Sequence, residues 1–266
     1  FSFLAMLDRG GLVLLLLCLI KVQSLYIWSH QQTLFVPSAA KTYGQTPALL
    51  VGRGFMTLVS GFDPVDPGLF IHTAEDGHLK NGHVVWSQQS KLRPPKDIVA
   101  SDMFGRTMVS KDKTLIVAAP YKSRGQIFVF NGTRRHWSLV QTLVNMDNTD
   151  NDYFGESMSL HNNRLAISAK GDVQFTGAVH VYERAAGKLT WSRMAKLVPR
   201  DGAPGNYFAE RVAIHGDRVA ATARNDNLGD ALPSTLLTPE PDYRTGSGYL
   251  FSCKLYNSLS PFAYLY

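Results

Sequence analysis

The chain reads as all-β, a β-propeller or partial propeller of about four four-stranded blades after an N-terminal leader. Three observations carry that reading. A Trp-Ser unit closed by leucine recurs four times, an aromatic-plus-small pair follows each copy at nearly constant distance, and strand-length runs bounded by turn residues lie between.

In chain order the leader comes first. Gly11–Ile20 (GLVLLLLCLI) is an apolar run closed by Lys21. A membrane-spanning helix needs roughly 20 apolar residues, about twice what is present. The run followed by Val22-Gln23-Ser24 fits a cleaved signal peptide over residues 1–24, with an uncleaved anchor as the alternative. Domain organisation then reads as leader 1–24, propeller 25–253 and an irregular tail 254–266. Cys18 falls in the leader, so a mature chain keeps only Cys253 and has no internal disulfide. A secreted domain without disulfides depends on a sizeable core, and 266 residues with 45% hydrophobic content can supply one.

The repeat follows. WSHQQTL starts at Trp28, WSQQSKL at Trp86, WSLVQTL at Trp137 and WSRMAKL at Trp191, with separations of 58, 51 and 54 residues. The pairs Tyr43-Gly44, Phe104-Gly105, Phe154-Gly155 and Phe208-Ala209 come 15, 18, 17 and 17 residues after the respective tryptophans. Next in each copy is a small-residue apolar run: MTLVSGF from Met56, LIVAAP from Leu115, LAISAK from Leu165 and RVAATA from Arg218. A glycine-led alternating run completes the unit: GLFIHT from Gly68, GQIFVF from Gly125, GAVHVY from Gly177 and GSGYLF from Gly246. A β-sandwich has no reason to keep four markers in step, whereas stacked propeller blades do.

Side-chain character assigns each run a place. LIVAA and LAISA are apolar or small at nearly every position, as in strands buried on both faces, and are expected innermost. IFVF and VHVY carry larger side chains suited to a middle strand. The Trp…Leu runs mix polar and apolar residues like a solvent-facing outer strand. Asn162-Asn163 and Gly216-Asp217 are turn pairs between runs. The Trp28 strand either completes the last blade and closes a ring of four, or the chain is a piece of a longer propeller. The non-Met start and irregular tail favour the piece.

Phe104-Gly105, then Ala118-Ala119-Pro120, then Gly125–Phe130 resembles the FG-GAP repeat, the blade unit of integrin alpha-subunit propellers. The junction Trp191–Ala220 is similar to secreted bacterial and protist members. The resemblance covers roughly Trp28 to Phe251, with the second unit closest and the first and fourth degenerate. It implies a seven-bladed relative and calcium in the hairpin after the Phe-Gly strand. The hairpins here, Ser110–Thr114, His161–Arg164 and His215–Arg218, each hold at most one acid. An oxygen cage needs several. No metal and no cofactor are therefore expected.

No catalytic set is recognisable. The eight histidines form no HExxH or His-x-His pattern, and no nucleophile elbow, Walker loop or dinucleotide fingerprint occurs. His180, inside GAVHVY, is expected to be packed and hydrogen-bonded. The acidic stretches Asp147–Asp152 and Asn225–Asp230 read first as polar turn chemistry. Net charge is +6, but the basic residues are scattered, which suits solubility and gives no nucleic-acid footprint.

The expected function is an extracellular or cell-surface, adhesion-type interaction module for a protein or glycan, secreted or surface-bound. A non-catalytic accessory propeller of a larger secreted or membrane-anchored enzyme is the alternative. A membrane enters only through a missing segment or an uncleaved leader. The long connection Arg224–Thr245 is the candidate partner-binding loop, with Asn225, Asp226, Asp230, Asp242, Tyr243 and Arg244 as its candidate contacts. Asn131, in Asn131-Gly132-Thr133, is the candidate N-glycosylation site.

Overall fold

A computed structural model describes residues 48–52, 55–63, 68–75, 79–80, 83–84, 86–133, 136–147, 151–226 and 246–253. The leader, the Trp28 strand and the tail lie outside the described residues, as do Tyr43 and Gly44. Four antiparallel sheets follow one another along the chain, making a partial β-propeller. The first holds β1 (Ala48–Gly52), β2 (Phe55–Asp63), β3 (Gly68–Glu75) and β6 (Ser87–Leu92). A small hairpin of β4 (Leu79–Lys80) and β5 (His83–Val84) is inserted before β6. The second holds β7 (Met108–Lys111), β8 (Thr114–Ala119), β9 (Gln126–Thr133) and β10 (His136–Val144). The third holds β11 (Met158–His161), β12 (Arg164–Ala169), β13 (Ala178–Glu183) and β14 (Ser192–Leu197). The fourth holds β15 (Phe208–His215), β16 (Arg218–Ala223) and β17 (Ser247–Ser252).

Each sheet runs from its first strand outward in chain order, so the tryptophan run closes the preceding sheet as its outer strand. One expectation is corrected. The alanine-rich strands β8 and β12 are second in their sheets, not innermost. The inner edge is the first strand of each sheet, and β1, β7, β11 and β15 lie successively against one another. The alanine strands are still buried on both faces, because a sheet packs on each side of them. Leu115, Val117 and Ala119 of β8 face the first sheet, while Ile116 and Ala118 face the third.

Every apolar core therefore lies between two sheets. The first joins Leu69 and Ile71 to Phe104, Val117 and Phe128. The second joins Ile116 and Ile127 to Phe154, Ile167 and Trp191. The third joins Ala166, Val179 and Val181 to Phe208, Ile214 and Val219. The fourth sheet departs from the both-faces rule: β16 alternates exposed and buried, so Ala220 is exposed and not enclosed like Val117 and Ile167. Sequence composition registers small residues but not whether a neighbour covers them.

Two glycines set the approach at the seam between the second and third sheets. A Cβ on Gly125 would stand 2.5 Å from the Phe154 backbone nitrogen, and one on Gly155 2.3 Å from Ile127 Cδ1. The close approach permits Phe154 N–H to donate to the Arg124 carbonyl at 3.1 Å. At the next seam Phe208 N–H donates to the Thr176 carbonyl at 3.1 Å, and a Cβ on Gly177 would lie 2.1 Å from the Phe208 oxygen. Ala209 takes the left-handed conformation there, at φ 65, that Gly155 takes at φ 97.

The inner strands of the third and fourth sheets are joined by side chains. Ser157 Oγ, Ser159 Oγ and His161 Nδ1 accept hydrogen bonds from the backbone N–H groups of Val212, Ile214 and Gly216, at 3.1, 3.0 and 2.9 Å. Alternate residues of one strand thus satisfy alternate amides of the next, as strand geometry requires.

Gly177→Ala is expected to destabilise the protein by about 3 kcal/mol or more, since positive φ and a backbone collision act together. Gly187→Ala, at φ 73 with no atom within 4 Å, is the control. It should lose only about 1 kcal/mol. Urea unfolding of the two variants measures the difference, and equal losses would contradict the close-approach account.

Candidate functional site

The connections that lead into the Phe-Gly turns and those that follow β8, β12 and β16 gather at one end of the sheets. The residue before each phenylalanine, Met103, Tyr153 or Tyr207, is left-handed at φ 54, 51 or 53. That turn is secured from below by the residue before it. Asp102 Oδ2 accepts from the Val99 amide at 2.9 Å, and Asp152 Oδ2 from Asn145 Nδ2 at 2.8 Å. Asn206 Nδ2 donates to Asp226 Oδ1 at 3.0 Å. The polar anchor therefore recurs at the same place in three copies.

Above these anchors runs a row of aromatic rings that crosses from the second sheet to the fourth. Tyr121 meets Tyr153 edge-on at 5.3 Å between centroids, Tyr153 meets Phe175 at 6.2 Å, and Phe175 meets Tyr207 at 5.1 Å. Phe175 is delivered by a single helical turn, Asp172–Phe175, in which Val173, Gln174 and Phe175 have positive φ. Lys170 Nζ stands 5.4 Å from the Tyr153 centroid, and the Arg224 guanidinium carbon 5.0 Å from that of Tyr207. Cations over ring faces are favourable in this range.

Beside the row lies a chain of charges at the position after each Phe-Gly or Phe-Ala pair. Arg106 Nη2 is 3.1 Å from Glu156 Oε1. Lys170 Nζ stands 4.0 Å from that oxygen and 4.0 Å from Glu210 Oε2. Burial pushes the Tyr121 phenol above its ordinary value, and the Glu156 carboxylate adds to the effect. Tyr121 thus stays neutral and keeps a hydroxyl proton to donate.

A second charged cluster sits between the second and third sheets. Lys196 Nζ is 2.5 Å from Asp172 Oδ2 and 3.5 Å from Asp147 Oδ2, and Arg193 Nη1 is 2.6 Å from Asp147 Oδ1. The Arg193 hydrogen bond holds the Asp147 carboxyl below its usual range. His180, fully buried against Phe154, has its Nε2 4.0 Å from Asp172. The expectation of a hydrogen-bonded His180 is corrected: neither ring nitrogen has a hydrogen-bond partner among the described residues. Ile167 and Lys196 lie opposite it on the two neighbouring strands, and the Lys196 ammonium is engaged by Asp172 and Asp147 instead. Burial, with Lys196 second, lowers its pKa to about 4, so the ring is neutral at physiological pH. Among the described residues no group of three or more His, Cys, Asp or Glu could hold a metal ion.

The residues singled out by sequence fall unevenly. Asn225 and Asp226 lie at the base of the long connection and are engaged there. Asn225 Nδ2 donates to the Gly205 carbonyl, Tyr249 Oη donates to Asp226, and Gly246 N–H donates to the Asp226 carbonyl. Burial, and then its hydrogen bonds to the Asp226 and Asp201 carboxylates, push the Tyr249 phenol upward. Asp230, Asp242, Tyr243 and Arg244 lie outside the described residues. Asn131 sits in β9, paired with Ser138 on one side and Thr114 on the other, and is partly exposed. Sequence reasoning passed over the aromatic row and the anchors. Their signal is visible in Asp102-Met103-Phe104, Asp152-Tyr153-Phe154 and Asn206-Tyr207-Phe208, which repeat one spacing.

His180 gives the protein a pH-dependent stability. Its folded pKa of about 4 is below the ordinary 6.5, so the unfolded chain binds a proton more readily between those values. Stability from this group is complete above pH 6.5 and declines as pH falls towards 4, by about 3 kcal/mol in all. His180→Leu should flatten the profile in that window. Chemical denaturation at stepped pH tests it, and an unchanged slope would exclude His180 as the source.

A search of curated proteins returns no match. The model of the FG-GAP repeat matches residues 137–182 and 191–234. Both matched segments begin at a repeat tryptophan, so each sequence unit starts with the outer strand of one sheet and continues into the next. The second segment includes Phe208-Ala209, where alanine keeps the backbone conformation of the missing glycine. FG-GAP repeats are a non-catalytic binding scaffold that typically occurs in extracellular or cell-surface proteins, and among the described residues no helix is long and apolar enough to cross a membrane. Residues 137–182 and 191–234 of the chain are thus FG-GAP repeats.

Proposed function

We propose that the chain is an extracellular or cell-surface interaction module, adhesion-like in kind, that binds a protein or glycan at the Phe-Gly end of its sheets. The observation that carries this is the row Tyr121, Tyr153, Phe175 and Tyr207, which spans three sheets on connecting segments. Connections held by a rigid scaffold are where recognition residues concentrate. Aromatic side chains with polar tips contribute large contact area at small entropic cost. Lys170, Arg224 and the Arg106–Glu156 pair border the row and supply charge that orients a partner. Beneath it, Asp102, Asp152 and Asn206 hold the turns, so the rings are preorganised.

The long connection between β16 and β17 leaves and returns at this same end, between Asp226 and Gly246. Asn225 and Asp226 act as its footing, and Asp230, Asp242, Tyr243 and Arg244 extend the surface in this reading. Chemistry on the partner is not part of the proposal, because the two charged clusters lack a nucleophile paired with a base.

Binding of the purified chain to arrays of glycans and of extracellular proteins tests the assignment. Tyr121→Ala combined with Tyr153→Ala should weaken a detected interaction at least tenfold, which corresponds to about 1.4 kcal/mol. Lys113→Ala, at the opposite end, should leave it unchanged. Binding that is indifferent to the tyrosine pair, or absent from both arrays, would overturn the proposal.

A further inference from the structure

Within the charged cluster between the second and third sheets, Asp172 is the enclosed carboxylate, at 1% exposure. It stands on the short turn Asp172–Phe175, whose backbone is fixed from both sides. Gly171 N–H donates to the Asp152 carbonyl at 3.0 Å, and Gly177 N–H to the Asp172 carbonyl at 2.9 Å. Lys196 comes from β14, where pairing with His180 of β13 sets its register. Its Nζ lies 2.5 Å from Asp172 Oδ2. An ammonium and a carboxylate joined by a hydrogen bond ordinarily stand about 2.7–2.9 Å apart. Yet neither Asp172 side-chain oxygen has a hydrogen-bond partner among the described residues. The lysine nitrogen is therefore nearer than an ion pair requires, and its direction of approach is not that of a hydrogen bond.

We infer that Lys196 and Asp172 become joined by an amide (isopeptide) bond between Nζ and Cγ, formed by the chain itself once it has folded. Proximity is the first support. A nitrogen this close to Oδ2 is within about 3.5 Å of Cγ, the separation at which well-oriented groups react. Preorganisation is the second, because a hydrogen-bonded turn and a paired strand hold the two groups in place before they react. The third is the exclusion of water. His180, fully buried with the Phe154 ring against it, sets its Nε2 4.0 Å from Asp172 Oδ2. Such a site disfavours separated charges and favours the neutral acid and amine from which an amide forms. Asp147 Oδ2 stands 3.5 Å from Nζ, and Arg193 engages the other Asp147 oxygen, so the lysine is directed inward.

The step balances within the pair. The ammonium passes one proton to Oδ2, the resulting amine attacks Cγ, and an N–C bond replaces the C–Oδ2 bond. A second nitrogen proton follows that oxygen, which leaves as water, and the third stays on the amide. The carboxylate under attack takes the proton itself, so the reaction needs no separate base, oxidant or cofactor and acts on no partner. The bond ties together positions 24 residues apart. It fastens β14, paired among the described residues with β13 alone, to the turn that precedes β13. Cys253 is free, so no disulfide among the described residues supplies such a tie. A cross-link of this kind restricts the unfolded chain as a disulfide does.

Tryptic mapping of the purified full chain by mass spectrometry tests the inference. The bond should yield a branched peptide in which Gly171–Arg184 is joined to Met194–Arg200. Its mass should be one water below that of the two together, and trypsin should leave it uncut after Lys196. Recovery of Gly171–Arg184 beside separate Met194–Lys196 and Leu197–Arg200 peptides, with no branched species, would mean an ion pair only and would overturn the inference. Lys196→Arg keeps the positive charge but removes the amine, and should abolish the branch together with the loss of water. Water loss that persists in this variant would mean that Asp172 has closed onto its own backbone, which also refutes the cross-link. The principal readout uses the unaltered chain, so it does not depend on the variant folding. The outcome is independent of partner binding at the aromatic row.

Discussion

The approach of main chain to main chain at each seam governs the rest of this structure. Where Gly125 meets Phe154 and Gly177 meets Phe208, no side-chain atom fits between the two backbones, and a direct amide-to-carbonyl bond takes its place. That contact sets how near the sheets stand. The phenylalanine is then driven into the apolar layer, where Phe154 and Phe208 are fully buried. The small residues of β8 and β12 follow from the same spacing, since the second strand of each sheet is pressed from both sides. Stability is thus a series of nearest-neighbour seams, each with its own core, which is the energetic pattern of repeat proteins.

The same turn that buries the phenylalanine exposes its neighbour. Tyr153 and Tyr207 precede Phe154 and Phe208 in a left-handed conformation, and this reversal sends successive aromatic rings in opposite directions, one into the core and one into the row at the sheet ends. The buried core ring and the aromatic row at the sheet ends are therefore produced by a single local geometry repeated along the chain. The charges share this economy: Arg106, Glu156 and Glu210 occupy one repeat position, yet their signs differ, so the seams are chemically distinct while geometrically alike.

Much of the fold was legible because its markers obey one rule, that a strand's place in the sheet shapes its composition. The runs at Trp86, Trp137 and Trp191 did become outer strands, and the turn pairs Asn162-Asn163 and Gly216-Asp217 did join inner strands to alanine-rich ones. Strand order within a sheet was not legible in the same way. Burial on both faces makes β8 small and apolar, but it does not say whether β8 or the four-residue β7 borders the axis, and Val109 and Ser110 are too mixed to advertise themselves. The bare face at Ala220 was hidden for a similar reason, since alanine suits a covered and an uncovered surface equally. The aromatic row was legible in principle, since Tyr153 and Tyr207 each stand directly before the repeat phenylalanine, but the acids of the long connection carry the more conspicuous loop composition. His180 shows the limit of inference from residue type, because its lack of a partner depends on neighbours from three separated segments.

The serine–serine–histidine edge of β11 has a further consequence. Three amides of the fourth sheet are satisfied by side chains that belong to the third. At the preceding seam Thr107 donates instead to the Glu156 carbonyl, and Lys111 to Asn162 Oδ1. Adjacent modules are therefore matched like successive pieces of a lock. Exchanging two of them, or deleting one and rejoining the ends, would bring together edges whose donors and acceptors no longer correspond, even though every module kept its own shape. Order along the chain is in this way a property of the inner rim.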